Sequence, residues 1–169
     1  MPNVCFNTIE IKGPHNTIHG LMKKAERQDD VPALLESMVP LGSKDMVDTD
    51  ILVANAAWGT KWDIMESDLK VIDSDDGTST IKGWVNTAWS PPIEAFKTFI
   101  ENNAGVDAEI VYYEPGMDFG GHFINGEDRY IDELYEVYTR PEDQRGDLFN
   151  MLDDYFGIVS GYKEFEDEE

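Results

Sequence analysis

The side chains in this sequence that could do chemistry fall into a few short groups. His15 and His19 stand four residues apart, the separation that places two imidazoles on one helix face where they can share a metal ion. No acid or third histidine follows at ligand spacing, so the pair reads as surface polar residues near a helix start and no metal is expected. Residues 73–80, DSDDGTST, carry the acids of a calcium loop. However, Gly77 falls one position early, and Trp84 occupies the twelfth position, where a bidentate glutamate is required. A solvated hairpin turn is the simpler reading. Glu114, Asp118 and His122 follow one another around EPGMDFGG and would make an acid–base cluster if the loop brought them together. Gly116, Gly120 and Gly121 equally mark a tight turn and bulge. Cys5 sits inside an alternating apolar run and reads as a small buried hydrophobe. As the single cysteine, it excludes an internal disulfide and any multi-cysteine zinc site. The sequence has no phosphate-cradling loop, dinucleotide fingerprint or nucleophile elbow. The expectation is a non-enzymatic protein with no catalytic residues and no cofactor.

The aromatic residues offer a second class of site. NAAWGTKWDI, residues 55–64, gathers Trp58, Lys61, Trp62 and Asp63. If a strand starts at Thr60, Trp62 and Ile64 share one face while Lys61 and Asp63 share the other. On the next strand Val85, Thr87 and Trp89 share a face, with Trp84 and Asn86 opposite. Two readings follow. The aromatics are core and cross-strand hairpin pairs, or they border a small-ligand or peptide groove on an exposed sheet face, built from Trp58, Lys61, Trp62, Trp89, Tyr113 and Glu114. KGWVNTAW, residues 82–89, matches the two ends of an RNA-binding signature through Lys82, Gly83, Trp84 and Trp89. Its middle does not fit, because Asn86 stands where a stacking aromatic belongs and no basic cluster surrounds it.

Charge narrows the partners. Thirty-five acids against thirteen Lys and Arg give a net charge of −22. Such a field repels nucleic acid and attracts basic protein surfaces. From Arg129 to Glu169 there are thirteen acids and four Lys or Arg. The candidate acidic surface is Glu133, Glu136, Glu142, Asp143, Asp147, Asp153 and Asp154. These carboxylates read as a solvated helix face or as a mimic of a phosphate track. The apolar residues among them, Leu148, Met151, Tyr155 and Phe156, read as the inward stripe of that helix or as the seam of a homodimer. The expected partner is a basic host protein, with no direct nucleic acid and no membrane. No apolar run approaches the length of a membrane span, and the N-terminal residues lack the basic-then-apolar pattern of a leader. A cytoplasmic location is therefore expected.

Elements able to position these residues come from periodicity. Val4–Ile11 alternates as a strand that Gly13-Pro14 should stop, and Asn16 or Thr17 is expected to cap a helix with Ile18, Leu21, Met22 and Ala25 on its core side. Residues 31–41 suggest a short helix or irregular loop, and a helix starting near Asp48 or Thr49 should end at Gly59. Residues 60–73 and 79–89 read as a hairpin around the Asp-Gly step. A helix with Pro92 in its first turn follows, carrying Ile93, Phe96, Phe99 and Ile100 inward. Residues 107–115 form a strand, a second hairpin turns at Asn125-Gly126, and a helix begins after Pro141. The tail KEFEDEE is expected to fray. The β-α-β-β-α-β order is that of a ferredoxin-like α+β split βαβ fold, an antiparallel sheet with helices on one face. It spans residues 1–126 with an insertion at about 29–57, and residues 127–169 form an acidic C-terminal strand and helix extension packed on the same domain.

Four stretches, MPNVCFN (1–7), WGTKWD (58–63), TAWSPP (87–92) and YYEPGMDFGG (112–121), together resemble the YubB-type ferredoxin-like domains of phages and plasmids, whose function is unknown. The sequence departs from that family's usual pattern at Val4, where tryptophan is common, and at Asp118, where glycine is common. The resemblance implies the ferredoxin-like fold and a phage or other mobile-element origin, and carries no catalytic residues. The expected role is an accessory protein that binds and inhibits a host protein, by acidic mimicry of nucleic acid or through the aromatic sheet face.

Overall fold

The computed structural model describes residues 3–27, 31–42 and 50–167. Its strands are β1 (Val4–Pro14), β2 (Glu66–Asp73), β3 (Thr78–Ala88), β4 (Asp107–Glu114), β5 (Phe119–Ile124) and β6 (Glu127–Ile131). Its helices are α1 (His15–Ala25), α2 (Leu34–Met38), α3 (Ile51–Trp58), α4 (Ile93–Asn102), α5 (Leu134–Tyr138), α6 (Asp147–Phe156) and α7 (Ile158–Asp167). The sheet runs β2-β3-β1-β4-β5-β6, with every neighbouring pair antiparallel. The first four strands have the split βαβ order of an α+β ferredoxin-like fold, and β5 and β6 widen the same sheet.

Period-two alternation decides which side chains go where. Cys5, Asn7, Ile9 and Ile11 of β1 point to one face. There they meet Ile81 and Val85 of β3, Ile110 and Tyr112 of β4, and the buried sides of α1, α2, α3 and α4. The opposite face carries Val111, over which α5, α6 and α7 place Leu134, Val137, Phe149, Leu152 and Ile158. The ferredoxin-like strands thus carry α1–α4 on one face, as expected from the sequence, and the C-terminal extension adds α5, α6 and α7 on the other. The reason is that the segment after β6 is a helical unit with its own apolar stripe.

Several boundaries differ from the sequence reading. Gly13 and Pro14 continue β1, paired with Ser79 and Thr78, and α1 starts at His15 with no side-chain cap. The His15 N–H is satisfied instead by the carbonyl of Gly77 at 3.0 Å. Residues 31–41 do contain a short helix, α2. The side chain of Asp50 accepts from Leu52 N–H to cap α3, which ends at Gly59 with φ 83°. The expected start at Asp48 or Thr49 lies outside the described residues. Residues 59–65 are bends, not strand, so β2 begins only at Glu66. After Ile131 the chain leaves the sheet and coils into α5. The segment read as a frayed tail is helical through Asp167, held by the Tyr135 and Tyr138 hydroxyls donating to Glu166 at 3.0 and 3.1 Å. Glu168 and Glu169 lie outside the described residues. On α6 the deepest side chains are Phe149 and Leu152, whereas Tyr155 is half exposed.

Asp63 ties the bend at residues 59–65 to the helical layer. Its carboxylate, 2 % exposed, accepts from the N–H groups of Leu35 and Glu36 at 3.0 Å each and of Ile64 at 2.8 Å. It therefore caps α2 from a distant part of the chain. Burial pushes its carboxyl above the ordinary range, against the pull of those three donors and of Arg27 at 3.9 Å. Truncation would leave three buried donors without an acceptor. Asp63→Ala is expected to cost about 2–4 kcal/mol, measured as a lowered urea midpoint with an unchanged slope.

Candidate functional site

An open concave surface lies on the second face of the sheet, on the part that the C-terminal helices leave uncovered. It is a groove of about 500 Å3 lined by Phe6, Asn7 and Thr8 of β1, Trp84 and Asn86 of β3, Tyr113 of β4, and Tyr155 and Phe156 of α6. Directly opposed residues on paired strands share a face. Phe6 stands against Asn86 and Tyr113, and Thr8 against Trp84 and Val111. Asn7 points the other way, its amide donating to the carbonyls of Cys5 and Val85 and to Thr87 Oγ1. Phe6, Trp84 and Tyr155 are 39 %, 42 % and 51 % exposed, a large apolar area to leave in water. Tyr113 lies 5.7 Å from Phe156 ring to ring, so the floor of the groove joins the wall formed by α6. Burial raises the pKa of the Tyr113 phenol.

The register also places Glu10, Glu66, Asp68 and Glu109 on this face, against Lys70 and Lys82. Lys82 is held by Glu10 at 3.1 Å, which raises its pKa, and Asn86 donates to Glu66 at 3.1 Å. An aromatic platform on β1 and β3 of such a sheet is suited to stacking flat groups. Its carboxylate surround opposes phosphate and favours cations.

Most of the aromatic residues singled out in the sequence are elsewhere. Of Trp58, Lys61, Trp62, Trp89, Tyr113 and Glu114, only Tyr113 lines the groove. Trp58 is 1 % exposed in the core, and its indole donates to the carbonyl of Val39 at 2.9 Å. Thr60 donates to the carbonyl of Ala88, and Ser90 to that of Gly59, at 2.8 and 2.6 Å. WGTKWD and TAWSPP are thereby stitched side by side. Lys61 Nζ lies 4.3 Å from the ring centres of both Trp62 and Trp89, and Trp89 has left the strand with φ 70°. The expected two-faced strand is absent here because the backbone bends so that Asp63 can reach α2. Trp84, Phe6 and Tyr155 are the groove residues that sequence reasoning passed over. The signal was available in the placement of Trp84 and Asn86 opposite Val85 and Thr87.

The acid–base loop does not assemble. Buried Glu114 accepts from the N–H groups of Gly116 and Met117. Asp118, at φ 60°, accepts from Tyr135 N–H at 2.9 Å and from the Tyr162 hydroxyl. His122 meets Glu109 at 2.6 Å, and its buried Nδ1 has no hydrogen-bond partner. Each of the three has a separate structural task. A smaller cavity, about 310 Å3, is lined by Ser90, Glu94, Lys97, Tyr112, Asp128 and Tyr130, among others. Here the Tyr112 hydroxyl donates to both oxygens of Asp128 at 3.0 and 3.1 Å. Burial raises the pKa of both groups. Gly121 lies beneath the Tyr112 ring, where no Cβ would fit.

Among the candidate acids, Asp153 caps α7 by accepting from Val159 N–H at 2.7 Å, and Glu136 pairs with Arg140 at 3.1 Å. Glu133, Glu142, Asp143, Asp147 and Asp154 are exposed. Exposed acids also stand on α1's C-terminal side, the β2–β3 turn, α4 and the β5–β6 hairpin, so the negative field is general and not confined to one stripe. Leu148, Met151 and Phe156 pack in the chain's own second core.

No protein-family model, curated protein or solved structure matches this chain, and the likeness to YubB-type domains rests on its four motifs. Among the described residues no helix is long and apolar enough to cross a membrane. The Lys61 stack is a scaffold contact, and Lys61→Ala should cost about 1 kcal/mol of stability and leave the groove untouched. Thermal unfolding of Lys61→Ala in the otherwise unchanged chain, and Trp84 emission taken as the difference from the corresponding Trp84→Phe variant, would check this.

Proposed function

We propose that this chain is a non-enzymatic interaction module whose groove takes a basic, apolar segment of a partner protein. The observation that carries the reading is the uncovered half of the second sheet face, where Phe6, Trp84, Tyr113, Tyr155 and Phe156 converge, with four acids, Glu10, Glu66, Asp68 and Glu109, against two lysines on the same face. Aromatic side chains with few rotamers make strong anchors for a docked peptide. The net charge of −22 accelerates encounter with a cationic partner and disfavours nucleic acid. The likeness to phage and plasmid domains supports a mobile-element accessory protein acting on a host protein. The diffuse distribution of exposed acids supports steering toward a basic partner more than imitation of a phosphate track.

Titration with synthetic peptides tests this. A peptide alternating Lys or Arg with Leu or Phe should bind saturably and shift Trp84 emission, while its Glu-substituted counterpart should not. Raising salt from 50 to 500 mM should weaken binding about tenfold. Trp84→Ala and Tyr155→Ala should each weaken it about tenfold or more without changing the fold. Equal binding by the acidic peptide, or full binding by the Trp84→Ala, Tyr155→Ala double variant, would overturn the assignment.

A further inference from the structure

A second site lies across the β2–β3 hairpin from the groove's chemistry. The geometry points to one divalent zinc ion bound by His15, His19 and Asp73. The two histidines stand one turn apart on α1, and no acid follows them in the sequence at ligand spacing. The sheet supplies that acid. Pro14 pairs with Thr78 and Asp73 with Ser79, while the His15 N–H binds the carbonyl of Gly77 at 3.0 Å. The first turn of α1 is therefore fixed against the end of the hairpin, and a residue 58 positions away meets both imidazoles.

His19 Nε2 lies 2.7 Å and His15 Nδ1 3.5 Å from the same carboxylate oxygen of Asp73, and the three ligand atoms all lie within 4.8 Å of one another. Ligands about 2.1 Å from a tetrahedral zinc ion stand about 3.4 Å apart, so little movement would admit the metal. The imidazoles lie side by side, tilted by 33° with ring centres 4.2 Å apart. A dication placed between them can use both ring nitrogens and the carboxylate together. Ser79, fully buried, donates to Asp73 at 2.6 Å and lies 2.9 Å from His15 Nδ1. It supplies the outer hydrogen bond that orients a ligating carboxylate. Two imidazoles and one carboxylate select a borderline transition metal over calcium or magnesium, and all three side chains are exposed, leaving a coordination position for water. The ion would clamp α1 to the hairpin, closing the loop between residues 15 and 73.

The test uses the full, untagged chain stripped with chelator and titrated with Zn2+ in about 10 mM Mg2+, an excess that occupies scattered carboxylates but not imidazoles. One ion per chain should bind, with micromolar affinity on the order of other three-ligand sites, and saturating zinc should raise Tm by about 5 °C. His19→Gln and Asp73→Asn should each weaken binding by about tenfold or more. Both should keep the wild-type circular dichroism and lose the zinc-induced Tm rise. Co2+ in place of zinc should give a visible absorption band that His15→Gln removes. No saturable binding at 1 mM zinc (about a thousandfold above the expected affinity) would overturn the site. Equal affinity in a His15→Gln, His19→Gln double variant would do the same, since that binding would belong to the surface acids.

Discussion

Strand β1 is paired along both edges, with β3 from Val4–Ala88 to Pro14–Thr78 and with β4 from Phe6–Tyr113 to Lys12–Asp107. Side chains in a strand alternate between faces, so this double pairing sorts three strands at once. Cys5, Asn7, Ile9 and Ile11 enter the main core, and Phe6, Thr8 and Glu10 go to the other face with Trp84 and Tyr113. A slip of one residue would exchange the two sets, burying Glu10 and exposing Ile9 and Ile11. The buried set excludes that slip, and the groove exists because the register is held.

The helical layer depends on polar stitching as much as on apolar burial. The α3–β2 connection must leave a helix, pass under the end of β3 and enter an edge strand within a few residues. It does so through Gly59 in a left-handed conformation, through Thr60 and Ser90 bonding across to β3's end, and through Asp63 capping α2. These residues lie in the stretches WGTKWD and TAWSPP, and their tasks here are those of a scaffold. Trp58 and Trp62 are costly residues placed where backbone turns sharply, with the indole of one bonded to Val39 and the ring of the other against Lys61.

The second face is covered unevenly. α6 and its neighbours pack over β4, β5 and β6, where Gly120 allows the side chains of Leu134 and Leu152 to come close. The layer stops at Tyr155 and Phe156, so the β1–β3 half of the face meets solvent. A ferredoxin-like sheet with an open face is a platform, and here a helix rim turns it into a groove. The same hairpin that forms the edge of this face holds Asp73 beside His15 and His19 at its far end, so the β2–β3 hairpin joins the two proposed sites.

The sequence by itself determined the order and type of most elements, because hydrophobic period and turn residues are local signals. β1, α1, α4, the Asp-Gly hairpin and the Asn125-Gly126 turn are all readable from neighbours in the chain. It also determined the negative field, which is a sum over residues and needs no geometry. The bend at 59–65 was not legible, since Thr60–Ile64 has strand-like composition and its true conformation is imposed by Asp63 reaching α2. Nor was the helical end of the chain, where acids that would repel one another in isolation are held by Tyr135, Tyr138 and the second core. The groove and the His15–His19–Asp73 cluster were decided only by the tertiary structure. Each unites side chains from strands and helices far apart in sequence, and only strand order and register bring such residues within a few ångströms.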